Sequence, residues 1–297
     1  MVAGCSTVFA RFVARLRPLW PVARWGLFAG GLAYCLLAVA GVVYDQGSAP
    51  VMRDAASYYY ADTPYDWTDD PAGVGEYRYA PLFLVVIAPV RLLPWELFAA
   101  VWFAAHIGVL LYLRLPWMLA FPGVIDDVVR GNVVTFMALA AVLVVRHGMA
   151  PLWASYFLTK VIPGVTIVWH AARREWRAFV IGLGVTAALV GGGWLVNPQL
   201  WEAWFDTLLA SQETYPQFAV TAPVWLRVVG GVAISLYAGL TGRAWLLPIG
   251  ILVAMPGWWP YSFAILVASV VLIRPTAPTE VVNVVVAPSS DCHSVAR

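Results

Sequence analysis

Asp54, in the segment RDAASYYYAD, is the first group in the chain with the makings of a chemical role. A carboxylate set among tyrosines can take a proton from a hydroxyl when its surroundings aim it there. The plainer alternative is one of several solvated loop acids. Further on, Tyr77, Arg78 and Tyr79 stand just ahead of Ala80-Pro81, and proline is well tolerated in the first turn of a helix. The planar fork of Arg78 suits phosphate oxygens; taken alone, it equally fits an interfacial anchor whose guanidinium snorkels to water. Asp126, Asp127 and Arg130 precede Gly131-Asn132 between two apolar stretches. Ionisable groups are costly there, so they either pair with one another or serve a function. Lys160 is the only lysine and lies inside WASYFLTKVIPGVTIVW. A lone ammonium at that depth needs an anionic partner, a protein carboxylate or a lipid phosphate.

The elements that must position these groups are membrane spans. Of the 297 residues, 62% are hydrophobic and only 11% charged, with a mean hydropathy of +0.77. A soluble domain needs about a quarter charged residues to face water. Apolar stretches of about 20 residues recur, each long enough to cross a hydrocarbon core of about 30 Å. The expected fold is therefore all-α: a polytopic bundle of about 8–10 transmembrane helices, one a re-entrant hairpin. Spans are expected at 25–44, 81–93, 97–113, 132–145, 178–196, 223–240, 244–256 and 258–273. The stretch 149–171 reads as a hairpin broken near Lys160 and Pro163-Gly164. That reading keeps Arg146-His147 and Arg173-Arg174-Arg177 on one side, as the cytoplasmic bias of arginine requires.

One membrane domain is expected over 1–274, with 45–79 as an acidic, aromatic first extracytoplasmic loop and 275–297 as a flexible cytoplasmic tail. Arg11, Arg15, Arg17 and Arg24 place the N-terminus inside, ahead of a first span that is retained rather than cleaved. The helix expected after Asn197 carries Trp201, Trp204 and Phe205 on one side, suited to the interface. Cys5, Cys35 and Cys292 are scattered and specify neither a disulfide framework nor a zinc site. No spacing specifies a metal, although Asp54 with a neighbouring acid leaves a divalent ion open. No organic cofactor is indicated, and the absence of a basic stripe on a soluble face argues against nucleic acid. Membrane lipids are the expected surroundings.

The succession of Asp54 with Tyr-Tyr, YRYAPLF opening the second span, Gly131-Asn132, LTKVIPGV and WHAARREWRAF resembles glycosyltransferase family 87 of the GT-C superfamily. The resemblance covers roughly residues 54–177. It departs from the family's pattern at Ala80-Pro81, where members often carry Pro-Pro, and at Gly131-Asn132-Val133-Val134, where many show Gly-Gln-x-Asn. The resemblance implies a GT-C-like fold in the cell membrane. It implies inverting transfer of a sugar, mannose in the first instance, from a polyprenyl-phosphate donor to a lipid-linked or glycan acceptor on the extracytoplasmic face. It casts Asp54 as general base, Arg78 and Lys160 as ligands of the donor phosphate, Tyr58, Tyr59, Tyr77 and Tyr79 as sugar-stacking groups, and Asn132 as a hydrogen-bond partner of a sugar hydroxyl. The competing classes are a lipid-carrier transporter, with Lys160, Arg78 and the Asp pair as a phosphate pathway, and a non-catalytic scaffold.

Overall fold

A computed structural model describes residues 17–41, 51–61, 65, 77–214, 222–255 and 257–274. The tail at 275–297 and most of the loop at 45–79 lie outside the described residues. Helices account for the regular structure, and no strand occurs among the described residues.

Among the described residues, four helices are long and apolar enough to cross a bilayer alone: α1 (Trp20–Val39) and, further on, Trp95–Tyr112, Trp176–Val196 and Val224–Thr241. A fifth crossing is available if Pro122–Arg130 and Val134–His147, which meet at 114°, count as one bent span. The remaining apolar stretches, expected as full spans, are shorter helices interrupted by 3-10 turns. The physical reason is proline: Pro163, Pro248 and Pro260 each open a new short segment, since proline cannot donate into a preceding turn.

α1 begins five residues earlier than the apolar run, because Pro21 and Arg24 fit its first turns. Most of its side chains are exposed, as are those of Trp176–Val196. Exposed Leu36, Leu37, Val180, Leu195 and Val196 form a surface suited to lipid tails rather than water. α1 meets the 3-10 segment Pro116–Ala120 at Gly31, where a Cβ would stand 2.6 Å from the Leu119 carbonyl oxygen.

The short helix α2 (Arg53–Tyr59) carries Asp54 in its first turn. Then come α3 (Pro81–Arg91), α4 (Trp95–Tyr112), α5 (Pro122–Arg130) and α6 (Val134–His147). α7 (Trp153–Thr159) leads up to Lys160, and the chain returns through Ile162–Ile167 and α8 (Val168–Ala172). Ala150 and Pro151, before α7, line the same cavity as Trp169 and His170 in α8. The segment is therefore a hairpin with Lys160 near its tip. Arg146, Arg173, Arg174 and Arg177 all line that cavity too, so the two basic clusters share one end of the molecule.

α9 (Trp176–Val196), α10 (Pro198–Thr214), α11 (Val224–Thr241), α12 (Leu247–Ala254) and α13 (Leu266–Leu272) complete the fold. Trp201 and Trp204 of α10 are buried, Trp201 against Gly193, while Phe205 is exposed. The tryptophans expected as an interfacial belt instead pin α10 to the bundle: the Trp204 indole donates to the carbonyl oxygen of Arg78 at 3.1 Å.

Candidate active site

The site is built at the corner between α5 and α6. Gly131 closes α5 at φ +68°, a conformation most side chains resist. A Cβ there would also stand 2.6 Å from Ala55 of α2. Glycine thus satisfies the turn and the close approach of α2 together. The approach is fixed by the Met52 N–H, which donates to Val129 at 2.7 Å, and by the Trp102 indole, which donates to Gly131 at 2.8 Å.

The residue after this turn is buried Asn132. Its Nδ2 donates to Asp54 Oδ2 at 2.6 Å, and its Oδ1 accepts from the Val133 N–H at 2.8 Å. The two contacts assign the amide's orientation, since only the oxygen can accept and only the nitrogen can donate. Asp127, fully buried, caps α6 by accepting from the N–H groups of Val134 and Thr135 and from the Thr135 hydroxyl. A carboxylate is well placed at that positive helix end. His106 of α4 sits beneath, with Nε2 2.7 Å from the Asn132 carbonyl, Nδ1 2.8 Å from the Trp102 carbonyl, and Asp127 Oδ2 at 3.7 Å. Asp54 is therefore held by a stack running down through Asn132 to His106 and Asp127.

Asp54 lies within electrostatic reach of Lys160, Arg130 and Arg53. Burial pushes its carboxyl above the usual carboxylate range, and the Asn132 hydrogen bond and those three cations pull the other way without cancelling it. The Lys160 ammonium stands 5.2 Å from the Tyr79 ring centre and 5.3 Å from that of Tyr261, close enough for cation–π attraction. Next to it, Val161 is held at φ +46°, rare for a β-branched residue and a source of about 1–3 kcal/mol of local strain. The turn continues through Pro163-Gly164, where any Cβ on Gly164 would run into the Phe157 ring.

Asp54, Asn132, Lys160 and Tyr79 are thus brought together, while the other residues marked by the sequence stand differently. Tyr58 is fully buried and donates to the Tyr79 hydroxyl at 2.9 Å; Tyr77 is buried and donates to the Ala80 carbonyl. Both form the aromatic wall behind Tyr79. The Tyr59 hydroxyl donates to Leu93 at 2.9 Å, and Arg91 holds the Tyr59 carbonyl, tying α2 to the end of α3. Arg78 is half-buried beside α10.

Three groups not marked for the site join it. Arg130 pairs with Asp126 at 2.9 Å within α5 and also bears on Asp54. Asp126 accepts from the Tyr261 N–H at 3.1 Å, which anchors the turn carrying the Tyr261 ring. His106 supports Asn132 from below. The charged triplet DDxxR was a visible signal for Arg130, whereas Tyr261 and His106 had none. No group of three or more His, Cys, Asp or Glu side chains able to share an ion occurs among the described residues.

The fold is an all-helical bundle with several membrane-length helices, and a carboxylate and an ammonium lie within electrostatic reach of one another at a helix corner. The sequence pattern of glycosyltransferase family 87 matches residues 77–287, more than half of the chain. The chain belongs to glycosyltransferase family 87 and is a membrane glycosyltransferase. No curated protein and no solved structure matches it. Asp54 precedes the matched region and is joined to it by the Asn132 and Val129 hydrogen bonds.

Proposed function

We propose that this enzyme transfers a sugar, mannose in the first instance, from a polyprenyl-phosphate donor to a lipid-linked or glycan acceptor on the extracytoplasmic face. The observation that carries the proposal is the meeting of Asp54, Asn132 and Lys160, distant in sequence, around Tyr79. Asp54 takes the acceptor's hydroxyl proton while that oxygen attacks the anomeric carbon. The bond from that carbon to the phosphate oxygen breaks, polyprenyl phosphate leaves, and the configuration inverts. Lys160 meets the negative charge gathering on the departing phosphate, a role suited to a cation fixed in a water-poor site. Arg78, one residue from Tyr79, is the proposed outer partner of that phosphate. Tyr79, under the Lys160 ammonium, is the tyrosine best placed to touch the sugar, with Tyr58 and Tyr77 backing it. Family membership favours this reading over transport of an intact lipid carrier or a scaffold role.

The test is transfer from radiolabelled polyprenyl-phosphate mannose in membranes or proteoliposomes. Asp54→Asn should lower turnover by about 10²–10⁴-fold, the usual contribution of a positioned base, while the protein still accumulates in the membrane. Undiminished transfer in that variant would remove Asp54 from the mechanism. Movement of intact donor across the vesicle wall, without transfer, would favour a transporter.

A further inference from the structure

The end of the molecule away from Asp54 holds a cavity. α6 has its N-terminus at the Asp54 site and its C-terminus at Arg146-His147. Its 14 residues span about 20 Å at 1.5 Å per residue. There a cavity of about 1290 Å³ opens between the ends of α6, α8, α9 and α13. Five arginines line it, Arg146, Arg173, Arg174, Arg177 and Arg274, against one acid, Glu175. Two are engaged in holding the walls. Arg146 donates to the carbonyls of Val271 and Arg274, joining α6 to the end of α13. Arg173 pairs with Glu175 at 2.6 Å and lies over the Trp169 ring.

Among the described residues the remaining charge has no acidic partner. Glu175 is already occupied by Arg173 and by His170 Nδ1 at 2.7 Å. The guanidiniums of Arg174 and Arg177 have no hydrogen bond or ion pair with any described residue. Arg174 sits at φ +59°, in the tight turn between α8 and α9. His170, almost wholly buried in the lining, has its Nε2 without a partner among the described residues. The lining also carries apolar side chains, among them Val144, Ile181 and Leu272.

We propose that this cavity is a second binding site, separate from the sugar-transfer centre, that takes a phosphate group through Arg174 and Arg177. Guanidinium forks bind phosphate oxygens through paired, charge-assisted hydrogen bonds, and basic pockets between membrane helices hold lipid headgroups. The apolar part of the lining suits a headgroup whose chains remain in the bilayer, so an anionic phospholipid is one source of the phosphate and a free phosphate ion the other.

Trp169 and Trp176 line the cavity, so tryptophan fluorescence reports its occupancy. The purified full chain in neutral detergent would be titrated with short-chain phosphatidylglycerol, short-chain phosphatidylcholine and inorganic phosphate. Saturable binding of phosphatidylglycerol, at least tenfold weaker in Arg174→Gln/Arg177→Gln and unchanged in Arg24→Gln/Arg114→Gln, supports the site with a lipid ligand. The same pattern with inorganic phosphate supports it with a free anion. Equal loss in both double variants, or binding that neither variant alters, overturns the proposal. Sugar transfer is measured alongside, so failure of this site remains distinguishable from failure of the Asp54 mechanism.

Discussion

Asp54 combines two pressures that work against each other. Burial favours its protonated form, while the Asn132 amide and the charges of Lys160, Arg130 and Arg53 favour the carboxylate; burial prevails. A base must be deprotonated to act, so turnover should fall as pH drops through a value above the ordinary carboxylate range. Asn132→Ala removes a bond that stabilises the charged form. Its acid-side limb should therefore lie at higher pH than the wild type's in a pH–rate profile, together with a loss in turnover. Tyr59 offers the contrasting case: Tyr59→Phe should leave transfer unchanged and cost about 1 kcal/mol in thermal unfolding, because its hydroxyl serves Leu93. The sequence alone could not separate Tyr59 from Tyr79. Side by side in a motif, tyrosines look alike, and only the turn of α2 decides that Tyr58 faces the aromatic wall and Tyr59 faces α3. Lys160 was conspicuous because a charge between apolar stretches is costly, whereas Asp54 and Asn132 were singled out through the family resemblance. Tyr261 was not, since an aromatic residue in an aromatic-rich chain carries no such signal.

At the scale of elements, the corner between α5 and α6 positions the site, and it depends on two residues. Gly131→Ala would place a methyl against Ala55 at a positive φ. It should push α2 away from Asn132, with transfer falling further than thermal stability does. Asp127→Asn would turn an amide NH2 towards the Thr135 or Val134 N–H at the head of α6 and remove the carboxylate beside His106. Breaking such a buried arrangement should cost about 3 kcal/mol, visible as a lower unfolding temperature. The corner was partly readable: two prolines and a charged centre at 115–132 signalled a break in the membrane pattern. That the break becomes a 114° bend with Asp127 capping the next helix rests on hydrogen bonds across seven or eight residues, which periodicity does not encode. The hairpin around Lys160 was legible for a related reason, because the Pro163-Gly164 pair and the two flanking arginine clusters both constrain the path.

For the whole molecule, the candidate site and the arginine-lined cavity lie at opposite ends of α6. Asp54, Asn132 and Lys160 gather at one end of α6, and Arg146, Arg174 and Arg177 at the other. From the positive-inside rule we propose that the Asp54 end faces the extracytoplasmic side. In a variant whose three native cysteines are serines, Tyr60→Cys should react with a membrane-impermeant maleimide added outside intact cells, and Arg174→Cys only after lysis. Reversed labelling would invert the topology and remove an extracytoplasmic acceptor. Composition and span length revealed the all-helical membrane class, and among the described residues four helices, or five with the bent pair, are long and apolar enough to cross a bilayer. Apolar character tells how a segment is solvated, and prolines at 163, 248 and 260 decide whether it continues as one helix.

The meeting of Asp54 and Lys160 in one site is tested most directly by the pH–rate profile of Lys160→Met with donor saturating. Removing a cation that favours the carboxylate should move the acid limb of turnover to higher pH, and Arg114→Met, far along the chain, should leave it in place. An acid limb that stays at the wild-type pH in Lys160→Met would show that the two groups do not share a site.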